Sequence, residues 1–264
     1  MIKIAFFDID GTLLKPGHQE PSENTVLTLK QLKENGILLC MATGRSYTFI
    51  PHFPDIAFDV LLTFNGSYVR NSEQVIFRNP LDDRDKYRII QNLNQMNRPF
   101  AISNETMIVA HGIEEDPQWH CVFGKEFTVT ADNFDALCDE DIYQIMCLCE
   151  EQEYSQILRG TKNAQITAWC DKAADIIPRN SGKGTAVNAV LRHYGFTKEE
   201  AIAFGDGKND IEMLSAAGTG VAMGNAKEET KASAAAVCRS VEEDGVYWYC
   251  LEHKLIHCDP TSST

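Results

Sequence analysis

What this chain lacks narrows its class before any motif is read. No segment approaches the ~18–20 unbroken apolar residues that a membrane span requires. The opening run Ile4-Ala5-Phe6-Phe7 meets Asp8 and Asp10, so it is not the h-region of a signal peptide. A cytoplasmic chain with no membrane partner is expected. Basic residues are scarce: 24 Lys and Arg face 38 Asp and Glu, a formal net charge of −14 over 264 residues. A duplex-binding protein needs a basic face to displace counterions from phosphates, and none is visible, so no nucleic-acid partner is expected. The acidity reads as solubility. An anionic ligand would have to be held by a local positive site against the global field.

Other absences are chemical. The nine cysteines (40, 121, 138, 147, 149, 170, 238, 250 and 258) include no CxxC pair, and their odd number argues against a disulfide framework or a zinc ribbon. Cys147 and Cys149, two apart on a strand, share one face and read as reduced packing residues. The histidines form no HExxH, which removes the metalloprotease type of site. Gly182-Lys183-Gly184 is not a P-loop, because Ile177 stands where its first glycine belongs and no Ser or Thr follows Lys183. Gly218-x-Gly220 lacks the third dinucleotide glycine, since Met223 occupies that position. Asn65-Gly66-Ser67 and Asn104-Glu105-Thr106 match the glycosylation pattern, which has no meaning in a cytosolic chain. There is no internal repeat and no low-complexity segment.

What remains is a globular composition, 44% apolar and 23% charged, with a recognisable rhythm. Ile2 to Ile9 is an apolar run ending in Asp8-Ile9-Asp10-Gly11-Thr12, the pattern of a buried parallel strand. Ser22 caps a helix with Val26, Leu29 and Leu32 on one face, ending at Asn35-Gly36. Strands follow at Ile37 to Ala42 and Asp59 to Phe64, so βαβ units are predicted. From Asn79-Pro80-Leu81 to Pro178 the pattern changes to two helices and alternating strands at Phe100–Ile102, Ile108–His111, Ile142–Cys149 and Ala164–Trp169. Such alternation predicts an antiparallel sheet with one packed and one exposed face. The acidic groups Glu114-Glu115-Asp116 and Asp139-Glu140-Asp141 read as solvated loops. For Trp119, His120 and Trp169, packing is the simpler reading than lining a pocket. After Pro178 the parallel rhythm resumes: a helix to Arg192, a strand Ala201–Phe204, a helix Ile211–Ala217, a strand Gly220–Met223 and a helix Glu228–Ala235.

Four polar clusters fall where apolar strands end or a helix begins: Asp8/Asp10, Thr43-Gly44-Arg45, Lys183, and Asp206/Asn209/Asp210. In an open parallel sheet, ligands bind outside the carboxyl ends of the strands. Carboxylates brought together there repel, and a divalent cation relieves them; hard oxygen ligands without Cys or His favour Mg²⁺ over zinc. A lysine and a hydroxyl beside such a site suit a phosphoryl group. Asp8 and Asp10 project to the same side of an extended chain. One could attack phosphorus while the other moves protons, and their chemistry alone leaves open which does which.

These motifs resemble, in order, the four of the haloacid dehalogenase superfamily: Asp8-Ile9-Asp10-Gly11-Thr12, Ala42-Thr43-Gly44-Arg45, Ser181-Gly182-Lys183-Gly184 and Gly205-Asp206-Gly207-Lys208-Asn209-Asp210. The insert between the second and third, with Val221-Ala222-Met223-Gly224-Asn225-Ala226 and Asp244-Gly245-Val246, is similar to the Cof-type sugar-phosphatase subgroup. The resemblance implies an α/β fold with a Rossmann-like parallel-sheet core (residues 1–80 and 180–264) and an inserted α+β cap (81–179) that sets specificity. It implies Asp8 as nucleophile and Asp10 as general acid/base. Thr43, the backbones of Gly44 and Ile9, Lys183 and Asn209 would hold the phosphoryl group. Mg²⁺ would be held by the Asp8 carboxylate, the Asp10 backbone carbonyl and Asp206, with Asp210 supporting them. Lys208 stands where small or polar residues are common in the family.

The expected activity is Mg²⁺-dependent hydrolysis of a small phosphorylated metabolite, a sugar phosphate by resemblance, in a monomer or weak homodimer. A phosphosugar mutase keeping the aspartyl-phosphate and a non-catalytic phosphometabolite sensor are the rival readings. Several residues also have plainer roles open to them: Thr43 as a helix cap, Asp210 as the cap of the helix at Ile211, and Arg45 either touching substrate or pairing with a core carboxylate.

Overall fold

Apolar segments with no polar break dictate the centre of the molecule. In the computed structural model, which describes residues 1–112, 117–123 and 134–258, β1 (Ile4–Phe7) is buried on both faces. It is followed by α1 (Glu23–Glu34), β2 (Leu38–Ala42), β3 (Val60–Thr63), β4 (Tyr68–Asn71) and β5 (Val75–Arg78). Ser22 caps α1 as its sequence predicts, its Oγ accepting the Thr25 N–H at 3.1 Å. Next come α2 (Asp83–Gln95), β6 (Phe100–Ser103), β7 (Ile108–His111), α3 (Pro117–Phe123), α4 (Phe134–Cys138), β8 (Gln144–Leu148), α5 (Tyr154–Ile157), β9 (Ala164–Cys170) and β10 (Ala173–Pro178). The chain ends with α6 (Lys183–Tyr194), β11 (Ala201–Gly205), α7 (Ile211–Ala216), β12 (Thr219–Ala222), α8 (Glu228–Ser233), β13 (Ala236–Val237) and α9 (Gly245–Glu252).

Two sheets result. The larger has the order β13-β12-β11-β1-β2-β3-β4-β5. Its strands are parallel from β13 to β3, and β4 and β5 are added antiparallel. Ala5 and Phe7 pack toward Leu29 and Leu32 of α1 and Val246 and Cys250 of α9. Ile4 and Phe6 pack the other way, toward Val187 and Val190 of α6 and Met213 of α7. Helices on both faces explain why these strands read as unbroken apolar runs.

The smaller sheet, β7-β6-β8-β10-β9, is antiparallel throughout. One face packs on α2 through Ile89, Ile90 and Leu93. The opposite face is not the exposed surface that its alternation predicts. Ala101, Ile108, Met146 and Leu148 form a second apolar cluster there with Trp119 and Phe123 of α3. Polar Ser103 and Gln144 are buried beside it, because this face looks toward the first sheet rather than to bulk water. Among the described residues four helices, α2 to α5, stand where two are predicted, and β10 is an added strand whose central Asp175 disguised it. Asp139, Glu140 and Asp141 are exposed as expected, while Glu114-Glu115-Asp116 lies outside the described residues, as do the side chains of His120 and Trp169. Among the described residues no helix is long and apolar enough to cross a membrane.

Candidate active site

Parallel register brings the polar clusters together. Phe7 pairs with Met41 on one side and Phe204 on the other, so the segments that follow β1, β2 and β11 leave the sheet at one edge. After β1 the chain turns sharply: Leu13 and Leu14 both donate their N–H groups to the Ile9 carbonyl, at 2.9 and 2.8 Å. Gly11 makes the turn possible with φ +86°, and a Cβ there would collide with the Asp206 carboxylate. The side chain of Ile9 is buried in the core, so only its backbone is near the site.

At the centre stands Lys183, the first residue of α6, its side chain fully buried. Its Nζ donates to Asp8 Oδ1 and Asp210 Oδ1, each at 2.6 Å. Asp206 completes a group of three carboxylates that includes Asp8 and Asp210, with ligand oxygens within 4.8 Å of one another. Burial and the charges of Asp210, Asp206 and Asp10 hold the Asp8 carboxyl well above its ordinary range, although Lys183 opposes them. Burial, then Asp210, pushes the Asp206 carboxyl up to about 6 against the pull of Thr12 and Lys183. Burial pulls the Lys183 ammonium down, but attraction to Asp210 and Asp8 outweighs it and raises its pKa. Three acids on one lysine make a pocket short of positive charge, and that donor set fits a hard divalent cation.

Asp210 does not cap the helix at Ile211. Its Oδ2 accepts the N–H groups of Asp206 and Gly207 at 3.0 and 2.8 Å, holding the loop that carries Asp206. The Asp10 carboxylate lies apart from the three-acid group: Arg45 grips it through Nε to Oδ2 at 2.9 Å and Nη2 to Oδ1 at 2.7 Å. Arg45 therefore takes the pairing role, and its Nη1 also donates to the Phe49 carbonyl at 3.1 Å. Thr43 is buried; its Oγ1 accepts the Arg45 N–H at 3.0 Å, a local turn rather than a helix cap. Lys208 is exposed, 3.7 Å from Glu229.

Asp8, Asp10, Thr43, Gly44, Asp206 and Asn209 line one cleft of about 600 Å³ between the two sheets. Its far wall carries Ile108, Val122, Phe123 and Met146, so the opening beyond the acids is largely apolar. Several residues here had no role assigned from the sequence. Thr12 donates to Asp206 Oδ1 at 3.0 Å. The Asn225 amide donates to the Gly11 carbonyl at 2.9 Å and to Asp206 Oδ2 at 3.2 Å. Asn65 joins Gln144, Asp175 and Asn209. Thr12 and Asn225 lie within motifs quoted above, and Asn65-Gly66 is a strand-end turn signal; Gln144 and Asp175 carried no signal, since a polar residue within a strand says nothing of what it faces. His253 and His257, the one pair at HxxxH spacing, sit at the end of the chain, where His253 stacks on Tyr249 at 3.9 Å; neither joins a three-ligand group among the described residues.

Comparison with known proteins points to one family. A family model for haloacid dehalogenase-like hydrolases matches residues 5–249. The chain is 30% identical over 247 residues to the HMP-PP phosphatase of Klebsiella pneumoniae, covering 88% of each. It is 28% identical to the 5-amino-6-(5-phospho-D-ribitylamino)uracil phosphatase YitU of Bacillus subtilis, over 93% of this chain and 95% of that one. Among solved structures, a HAD subclass IIB sugar phosphatase superposes with a TM-score of 0.86 at 27% identity, over 96% of this chain and 100% of that one. A HAD-superfamily phosphatase from Bacteroides thetaiotaomicron gives 0.87 at 25% identity, over 97% and 96%.

Proposed function

The chain belongs to the haloacid dehalogenase-like hydrolases, an enzyme of the phosphatase type with a Rossmann-like core and a cap, and from that premise we propose that it is a Mg²⁺-dependent phosphomonoesterase of small phosphorylated metabolites, sugar phosphates among them. The observation that carries this reading is Lys183, buried between Asp8 and Asp210 with Asp206 alongside, directly behind the Asp8 and Asp206 carboxylates that line a cleft sized for a small metabolite. Residues 1–80 and 180–264 are the catalytic core in this reading, and 81–179 the cap that selects the leaving group.

Asp8 is the nucleophile. Its carboxylate attacks phosphorus as the bond to the leaving oxygen breaks, giving an aspartyl-phosphate and splitting one difficult hydrolysis into two steps. Asp10 donates a proton to the leaving oxygen, then as a base takes one from the water that attacks phosphorus and frees Asp8. The bidentate pair of hydrogen bonds from Arg45 keeps Asp10 at the rim of the cleft, so Asp10 must turn from the guanidinium toward the leaving oxygen when substrate is seated. Lys183 favours the ionised form of Asp8 against burial and its acidic neighbours and orients it, and its charge faces the negative charge that develops on the phosphoryl oxygens. Thr43, the Gly44 and Ile9 backbones and Asn209 hold those oxygens. The Asp8 and Asp206 carboxylates and the Asp10 backbone carbonyl would hold Mg²⁺, supported by Asp210, and the cation would supply neutralising charge to the phosphoryl group.

The test is phosphate release from a panel of phosphorylated metabolites, first with Mg²⁺ and then with chelator. Release that chelator abolishes and Mg²⁺ restores is expected. Isomerisation of a hexose phosphate without release of phosphate would replace this reading with a mutase. Stoichiometric binding with no chemistry would replace it with a sensor.

A further inference from the structure

The turn after β3 is the most contorted stretch of the described backbone. Phe64, Asn65 and Gly66 have φ of 53°, 52° and 85°, three consecutive residues in left-handed conformation, two of them not glycine. Such conformations persist only where surrounding structure over-determines them, and they gather at functional sites. Here the surroundings come from both sheets. Phe64 donates its N–H to the Arg45 carbonyl at 3.1 Å and Asn65 to the Thr43 carbonyl at 3.0 Å, lacing the turn to the segment after β2. The Phe64 ring stacks on Tyr143, immediately before β8, at 5.5 Å, and Tyr68 meets the same ring edge-on at 5.1 Å.

The Asn65 amide stands where these parts meet. Nδ2 donates to Asp175 of β10 at 2.8 Å and to Gln144 of β8 at 3.1 Å. Oδ1 accepts from Asn209 at 3.0 Å. Gln144 returns to the core, its Nε2 donating to the Gly44 carbonyl at 3.1 Å. Asn65, Gln144 and Asp175 are all almost completely buried. A buried amide with each of these contacts satisfied fixes its neighbours' orientation, and losing one partner leaves the others unpaired.

We infer that Asn65 is a positioning residue: its amide ties the Gly44 turn and Asn209 to strands β8 and β10, so that affinity for the phosphoryl group depends on the seating of the inserted sheet. The inference rests on the reading of Gly44 and Asn209 as phosphoryl-binding groups. It also gives a physical reason for asparagine at this position. The residue must accept a left-handed backbone, which Asn does more readily than most, and it must both donate to a carboxylate and accept from an amide.

The experiment measures binding of inorganic phosphate by calorimetry in saturating Mg²⁺, alongside steady-state kinetics on the best substrate of the panel. Asn65→Gly keeps the left-handed backbone available and removes only the amide. The phosphate Kd and the KM are expected to rise together by about tenfold, with kcat changing by less. A merely structural role would lower the active fraction, so kcat would fall while Kd and KM stayed put. Asn65→Asp sets a carboxylate against Asp175 and should weaken phosphate binding at least as much, whereas Asp175→Asn alone leaves an acceptor for Asn65 and should do little. The double variant Asn65→Asp/Asp175→Asn restores the bond between these two positions with the roles exchanged, though not the donor to Gln144 Oε1, and should recover part of the loss. Gln144→Met, which needs no special backbone, should raise Kd severalfold and serves if either Asn65 variant does not fold. Unchanged Kd in Asn65→Gly or Gln144→Met, or no recovery in the double variant, overturns the inference. Phosphate binding without turnover in the unmutated protein would defeat the phosphatase reading and leave this test intact; if Mg²⁺ and phosphate do not bind at all, both readings fall.

Discussion

In the proposed reaction Asp8 is a residue placed for chemistry at the expense of stability. Its carboxylate is buried beside two other acids and only one ammonium. Asp8→Asn should abolish turnover, by at least about 10³-fold, yet leave the metal-free protein as stable as before or more so, because it removes a buried like charge. Phosphate release and scanning calorimetry in chelator check the two halves. Lys183→Met should act in the opposite sense, leaving Asp8 and Asp210 buried without their counterion, at a cost of about 3–5 kcal/mol in urea unfolding. Asp206 adds a pH dependence. Its carboxyl is pushed up to about 6 from an ordinary 3.8, chiefly by burial. Between these two values the unfolded chain has released that proton and the folded chain keeps it, so this group makes the metal-free protein less stable as pH rises through the window. A divalent cation needs the ionised carboxylate. The rise in Tm on adding Mg²⁺ should therefore be larger at pH 7 than at pH 5, and an equal rise at both would contradict the assignment of Asp206 as a ligand.

At the scale of elements, strand ends matter more than strands. The turn after β1 works because Gly11 has φ +86° and no side chain where the Asp206 carboxylate lies. Gly11→Ala should weaken Mg²⁺ binding and cost more than the ~1–2 kcal/mol of a left-handed alanine alone. Gly17→Ala is the control: its φ is +79° but nothing lies within 4 Å of the added Cβ, so it should show only the conformational cost. Mg²⁺ titration and denaturant unfolding of the pair separate collision from strain. Most of these elements were readable in the sequence. β1, β2, β3, β11 and α1 lie within a residue or two of their expected places, because a strand buried on both faces must be apolar throughout and a capped helix announces its start. The hairpin β4–β5 and strand β10 were not. Tyr68–Asn71 and Val75–Arg78 carry polar residues at a sheet edge, and Asp175 sits in mid-strand because its partner, Asn65, comes from the other sheet.

Across the whole molecule, two sheets with separate apolar clusters are joined where the chain crosses at Asn79–Leu81 and again at Pro178–Ser181. Asn79 Nδ2 meets Ser181 Oγ at 2.9 Å and links the two crossings. Hydrogen exchange should therefore resolve two cooperative units, one per sheet, with Mg²⁺ and phosphate raising protection in β8 and β10 as well as around Lys183. A single uniform exchange class would count against this. The parallel rhythm, the antiparallel insert and the four polar clusters are all legible in the sequence, since hydrophobic periodicity and short motifs are local and are written in consecutive residues. Tertiary structure alone decided that Arg45 grips Asp10, that Asp210 holds the Asp206 loop and not the helix at Ile211, and that Asn65 reaches Gln144 and Asp175 across 79 and 110 residues of chain. Those contacts depend on how two sheets are seated on each other, and that geometry arises from the packing of buried faces rather than from the spacing of any one motif.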